Sequence, residues 1–182
     1  MILAERLLAI HRALEGAKVE HAFGGAIALA YWTREPRGTR DIDVNVFVTP
    51  DHGASVLGAL PSGIAHDKSA LEAIHRDAQV RLWWDDTPID LFFSNLPIHD
   101  DAARRRHRVM FEGEEIPVLG PLELGLFKAM FDRTRDWADI EEMLIAKSFN
   151  PTELRRLIQD HVGEDDPRLA RLDDGVARAD RS

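Results

Sequence analysis

The chain contains no cysteine, which excludes disulfides and thiolate metal sites. It also lacks any apolar run approaching the roughly 20 residues that a membrane-spanning helix needs. The opening stretch MILAERLLAIHRALEGAKVE is interrupted by charges and carries no cleavage signal. It therefore reads as an amphipathic helix rather than a signal peptide, and a soluble cytoplasmic protein with no membrane partner is expected. Positive charge is in deficit too: 23 Lys and Arg stand against 32 Asp and Glu, a net charge of −9. That balance opposes a long non-specific grip on nucleic acid, which depends on neutralising phosphates. One local basic run, Arg104-Arg105-Arg106-His107-Arg108, stands out. It reads as a solvated face or as a patch turned toward RNA.

What is present suffices for a folded core. Apolar residues make up 45% of 182, a size that fits one domain with a helical appendage. Residues 2–15 place Leu3, Leu7, Ile10 and Leu14 on one helical face, with Gly16 positioned to end it. Residues 19–23 read as a short strand leading into Gly24-Gly25, and 26–32 as a helix rich in small residues. Glu35-Pro36-Arg37-Gly38 has loop chemistry. Residues 41–48 give the clearest strand, with Ile42, Val44, Val46 and Val48 on one face and Asp41, Asp43, Asn45 and Phe47 on the other. Helices are expected over 50–60 and 69–76.

Residues 80–85 and 89–93 read as a hairpin around Asp85-Asp86-Thr87-Pro88, leaving Asp90 on the face opposite Ile89, Leu91 and Phe93. A further strand pair is expected over 109–111 and 116–119, around Gly113. From Pro121 the pattern is helical, with stripes at Leu122, Leu126, Ala129 and Met130, then Trp137, Ile140 and Leu144, and a third helix over 151–162. The charged stretch after Gly163 leaves a short helix and a disordered tail both open. The expected class is α/β (α+β), a small mixed sheet flanked by helices. A core with its N-terminal helix occupies 1–119, C-terminal helices 120–163, and a charged tail 164–182.

Two features bear chemistry. Side chains two apart on a strand project to the same side, so Asp41 and Asp43 are neighbours whose repulsion a cation would relieve. Asp90, on the polar face of another strand, can complete a three-carboxylate nest. Oxygen ligands with open positions suit Mg²⁺ or Mn²⁺, and two such ions about 4 Å apart can clamp both oxygens of a phosphoryl displacement. The second feature is Gly24-Gly25, where backbone N–H groups at a helix start can approach a phosphate unobstructed. Either feature alone recurs by chance, as an exposed strand end or a tight turn. His66-Asp67 and His99-Asp100 lack the spacing and helical frame of a metal phosphohydrolase, which leaves surface or capping roles. The serines lie in no nucleophile elbow. Trp32, Trp83, Trp84 and Trp137 are expected in the core, with one of them or Phe92 a lesser candidate for stacking on a base.

The order strand, Gly24-Gly25, helix, Pro/Gly loop, Asp41-Ile42-Asp43, then Asp90 within an apolar strand resembles the DNA polymerase β-like nucleotidyltransferase superfamily. The wording GGAIALAYW, the basic Arg37-Gly38-Thr39-Arg40 and the segment LGLFKAMFDRTRDWADIEEML are similar to the minimal bacterial type, particularly the AbiEii-like toxin family of abortive-infection systems. The resemblance spans roughly residues 22–144. It implies a nucleotidyltransferase core that moves a nucleoside monophosphate from an NTP to a hydroxyl acceptor, releasing pyrophosphate. It assigns Asp41, Asp43 and Asp90 as catalytic metal ligands for two Mg²⁺ or Mn²⁺ ions, and Gly24 and Gly25 as the phosphate seat. Arg40, Lys128, Arg133 and Asp139 are the implied nucleotide-binding residues. The implied acceptor is tRNA, a partner protein or a small molecule, and a cognate antitoxin or toxin is an implied partner. Many members place Ser after the first Gly, whereas Gly25 is followed here by Ala26, so backbone amides must supply that contact. The alternative is a catalytically silent module of the same fold that senses nucleotide or binds a partner.

Overall fold

The computed structural model describes residues 1–33 and 38–181; the expected loop residues Glu35, Pro36 and Arg37 lie outside that set. In chain order the elements are α1 (Leu3–Gly16), β1 (His21–Phe23), α2 (Gly25–Thr33), β2 (Ile42–Val46), a 3₁₀ turn (Pro50–His52), α3 (Gly53–Ala59), β3 (Ile64–Ala65) and α4 (Lys68–Asp77). There follow β4 (Gln79–Trp84), β5 (Thr87–Phe93), α5 (Ile98–Arg104), β6 (His107–Phe111), β7 (Glu114–Val118), α6 (Pro121–Phe131), α7 (Thr134–Ile145), α8 (Pro151–Val162) and α9 (Pro167–Ala179). They divide into two compact units, one holding Met1–Ile27 and Gly38–Leu119, the other the described remainder.

The first unit is built on a seven-stranded mixed sheet, β3-β4-β5-β2-β1-β7-β6. Strands β2 and β5 pair in parallel at its centre, and β4 and β5 form the expected antiparallel hairpin. One face of the sheet buries Ile42, Val44 and Val46 on β2, Val80, Leu82 and Trp84 on β4, and Ile89, Leu91 and Phe93 on β5; Asn45 is buried on the other face. The period of two therefore sends Asp43, Arg81 and Asp90 to the other face. The apolar stripe of α1, at Leu7, Ile10 and Leu14, is wholly buried. Arg6 on the same helix clamps the hairpin turn, donating to Asp85 at 2.7 Å and Asp86 at 3.0 Å, and to the Thr87 hydroxyl. That clamp fixes the β4–β5 register, and Asp85 turns the chain with φ +52°.

The second unit is helical. Leu122, Leu126, Ala129, Ile140, Met143, Leu144, Leu154 and Ile158 form its core, joined by Leu169 and Leu172 of α9. The charged stretch after Gly163 is thus a packed amphipathic helix: Asp166 caps it by accepting from the Arg168 amide at 2.9 Å, Pro167 starts it, and two leucines anchor it. Two elements went unread in the sequence, the two-residue β3 and the charged α5, because neither is long enough to show a period.

Candidate functional site

The sheet register assembles the carboxylates. In the β2–β5 pairing Asp43 sits beside Asp90, flanked by Ile42 beside Ile89 and Val44 beside Leu91. Asp41 immediately precedes β2, its main chain bracketed by the Thr39 hydroxyl, which donates to the Asp41 carbonyl at 3.2 Å and accepts from its amide at 3.3 Å. Like charges directly opposite on a sheet are unfavourable. Relief comes from β4, whose Arg81 lies across from Asp90 in the hairpin register. Arg81 donates from Nε to Asp90 Oδ1 at 2.8 Å and from Nη2 to Oδ2 at 2.6 Å, a two-pronged pair. The hydrogen bond and charge of Asp90 raise the Arg81 pKa, and the charges of Asp41 and Asp43 add to the shift. All three carboxylates therefore act on one cation.

The glycine pair packs onto the same point. Gly24 donates its amide to the Asp43 carbonyl at 2.9 Å, so that amide belongs to the sheet. A Cβ on Gly24 would meet Asn45 Nδ2 at 2.9 Å and Leu119 Cδ1 at 3.2 Å. Gly25 opens α2 with φ +49°, and a Cβ there would lie 1.8 Å from Asp43 Oδ2. Only glycine tolerates both the backbone angle and the carboxylate. The amides of the first turn of α2, from Gly25 onward, are those a helix leaves without intrahelical acceptors. They begin directly beside Asp43. Arg40 is exposed one residue before Asp41, and its charge reaches Asp86.

The three implied residues of the second unit form their own cluster. Lys128 Nζ lies 2.5 Å from Asp139 Oδ2 and 3.7 Å from Asp136 Oδ1, with the three side chains 8%, 1% and 4% exposed. Arg133 donates to Asp136 at 2.6 Å and stacks 5.0 Å from the Phe131 ring centroid. Lys128 pairs with these two carboxylates rather than with Asp132, four residues on along the chain. Asp132 instead ends α6 with φ +56° and accepts from Trp137 Nε1 at 2.7 Å and Arg171 at 2.6 Å.

The remaining candidates resolve similarly into structure. The basic run is held by acids: Arg104 pairs with Asp101, Arg106 with Glu20 at 3.0 Å and Arg108 with Glu15 at 3.5 Å. Asp67 caps α4 through the Ser69 amide, and His99 donates Nδ1–H to the Leu96 carbonyl. Trp84 and Trp137 are core residues, but Trp83 is not: it is 49% exposed. Alternation along β4 puts it on the face of Arg81, so the expectation of a core Trp83 is corrected. Arg81 itself went unread as a site residue. Its signal was present, because a hairpin closing at Asp85-Asp86 brings Arg81 opposite Asp90.

These parts combine Asp43 beside Asp90, Asp41 two residues before Asp43, a glycine-opened helix start touching Asp43, and Arg81 paired with Asp90. Oxygen donors with an open side fit a hard divalent ion, and Arg81 already serves as the stand-in positive charge.

No family model and no curated protein matches the sequence. Among solved structures, the solution structure of the antibiotic-resistance factor ANT(2'')-Ia aligns over 96% of this chain and 97% of its own, with TM-score 0.61 at 12% identity. The crystal structure of ANT(2'')-Ia in complex with adenylyl-2''-tobramycin aligns over 86% and 95%, with TM-score 0.61 at 11% identity. An antigenic nucleotidyltransferase-like protein from Paracoccidioides brasiliensis is more distant, with TM-score 0.49 at 15% identity over 92% and 91%. The chain has a nucleotidyltransferase-like fold.

Proposed function

We propose that this protein is a metal-dependent nucleotidyltransferase that moves a nucleoside monophosphate from an NTP to a hydroxyl on a small cationic acceptor, releasing pyrophosphate. The observation that carries this reading is the register of β2 and β5, which sets Asp43 beside Asp90 while Gly25 abuts Asp43. Asp41 and Asp43 would hold two Mg²⁺ or Mn²⁺ ions and Asp90 one of them. Bound ions of this kind lower the pKa of an attacking hydroxyl and neutralise charge on a leaving phosphate. The protein's own groups do the rest. Gly25 and the first-turn amides of α2 seat phosphate oxygens, and Arg40 adds positive charge beside them. Asp90 takes the acceptor proton once Arg81 has released it. Arg81, freed from Asp90 but still drawn by Asp41 and Asp43, is then available to the triphosphate. Trp83, exposed on the same sheet face, offers a stacking surface for a base or sugar.

Charge supports a cationic acceptor. At −9 the chain attracts polycations and repels polyanions, and three arginines of its basic run are already paired with acids. The likeness to ANT(2'')-Ia, a protein seen with an adenylylated tobramycin, supports the same direction. Lys128 and Asp139 we read as a buried strut, on the support of their burial, rather than as nucleotide contacts.

The test is incubation with each labelled NTP and Mg²⁺ or Mn²⁺, offering tobramycin-like aminoglycosides, tRNA and protein as acceptors. Metal-dependent label on the aminoglycoside, falling to background in Asp43→Ala, is expected. Label on tRNA instead would support an AbiEii-like toxin with a cognate antitoxin. Tight NTP binding with no pyrophosphate release on any acceptor would favour the silent module, a reading supported by Arg81 occupying both oxygens of Asp90.

A further inference from the structure

We propose that His11, Glu15 and His21 form a second cation site, suited to a borderline first-row divalent ion of the Zn²⁺ kind and independent of the β2–β5 carboxylates. His11 and Glu15 are four apart on α1 and so share a face, while His21 opens β1. One ligand atom from each of the three lies within 4.8 Å of the other two.

The imidazoles are oriented as ligands. His21 Nδ1 donates to the Val19 carbonyl at 2.9 Å, which leaves Nε2 as the nitrogen with the lone pair. That Nε2 faces His11 Nδ1 at 3.0 Å. An outer nitrogen tied to a carbonyl is how a metal-binding histidine is held. With His21 Nε2 as the acceptor, His11 Nδ1–H donates across the 3.0 Å gap. A metal ion between the rings takes the place of that proton, His11 moving to its Nε2–H tautomer.

His11 is 6% and His21 2% exposed, so the imidazole side of the site is shielded from water. A divalent ion draws the Glu15 carboxylate from Arg108, its partner at 3.5 Å, and Glu15 is exposed, leaving a position for water. Two Zn–N bonds of about 2.0–2.1 Å at a tetrahedral angle hold the nitrogens about 3.3–3.4 Å apart. The observed 3.0 Å requires the rings to part by a small adjustment. Two imidazoles and one carboxylate are a donor set for Zn²⁺ and a poor one for Mg²⁺, which prefers oxygen. The ion would brace α1 against the strand that runs directly into Gly24.

The experiment is titration of the full chain, freed of metal by a chelator, with Zn²⁺ against a chromophoric competitor. One Zn²⁺ per chain with micromolar or tighter affinity is expected, unchanged in Asp43→Ala. Glu15→Gln, at an exposed position, should weaken it by at least about 10-fold, and His11→Gln with His21→Gln should abolish it. Because the histidines are buried, the wild-type chain is also read directly: Zn²⁺ should shift the imidazole ¹⁵N signals of His11 and His21. Absence of stoichiometric binding, unmoved signals of these two rings, or binding lost in Asp43→Ala but kept in Glu15→Gln would overturn the proposal.

Discussion

Two ion pairs, one in each unit, differ in almost everything except their chemistry. Arg81 and Asp90 meet at the open face of the sheet, with side chains 54% and 15% exposed; Lys128 and Asp139 meet in a helical core at 8% and 1%. An exposed guanidinium can leave its partner for water at little cost, so it can give way to a metal ion or turn to a phosphate. A buried ammonium cannot, because its departure strands a carboxylate in a medium that does not solvate it. Position in the burial gradient, not residue type, separates an exchangeable cation from a strut.

The contrast breaks most decisively at Lys128. Lys128→Met should destabilise by about 3–5 kcal/mol in urea unfolding, since Asp139 loses its cation. Lys128→Met combined with Asp139→Leu should recover most of that loss. A cost below about 1 kcal/mol for the single substitution would make Lys128 an exchangeable group after all. Gly25→Ala comes next: a Cβ at φ +49° against Asp43 should cost about 1–3 kcal/mol and depress metal-dependent transfer more than it depresses the melting temperature. Arg81→Gln should change stability by less than about 1 kcal/mol yet tighten Mn²⁺ binding, read by calorimetry, because the ion no longer competes for Asp90. Unaltered affinity would mean Arg81 does not guard that carboxylate.

The smallest effect concerns His99, a ring buried in the turn that opens α5. Burial lowers its folded-state pKa below the usual 6.5. The unfolded chain then binds more protons below that value, so the stability from the neutral ring is complete above pH 6.5 and declines as the pH falls. His99→Gln should flatten the stability profile below pH 6.5, measured by unfolding at each pH.

Much of the sheet was legible because alternation is a local property. Ile42, Val44 and Val46 announced a strand, and Ile89, Leu91 and Phe93 another with Asp90 turned away. Their parallel pairing, which sets Asp43 beside Asp90, is a long-range event that neither segment encodes alone. The helices of the second unit were legible from their stripes, but the final one was left open. Its two buried leucines gain their meaning only from the surface they cover. Arg104 to Arg108 showed the opposite limit: a run of like charge in sequence became a set of pairs, because Glu15 and Glu20 come from distant positions.

Side-chain chemistry and short periods made most of the elements readable in the sequence, β3, α5 and α9 excepted, along with the absence of thiolate chemistry and the residue types at the candidate site. Tertiary structure decided which charges meet. It brought Arg81 to Asp90, fitted Gly25 against Asp43, buried Lys128 with Asp139 and turned two histidines toward each other. Coulomb energies and desolvation depend on distance and burial, and both are fixed only when segments far apart in the chain pack together.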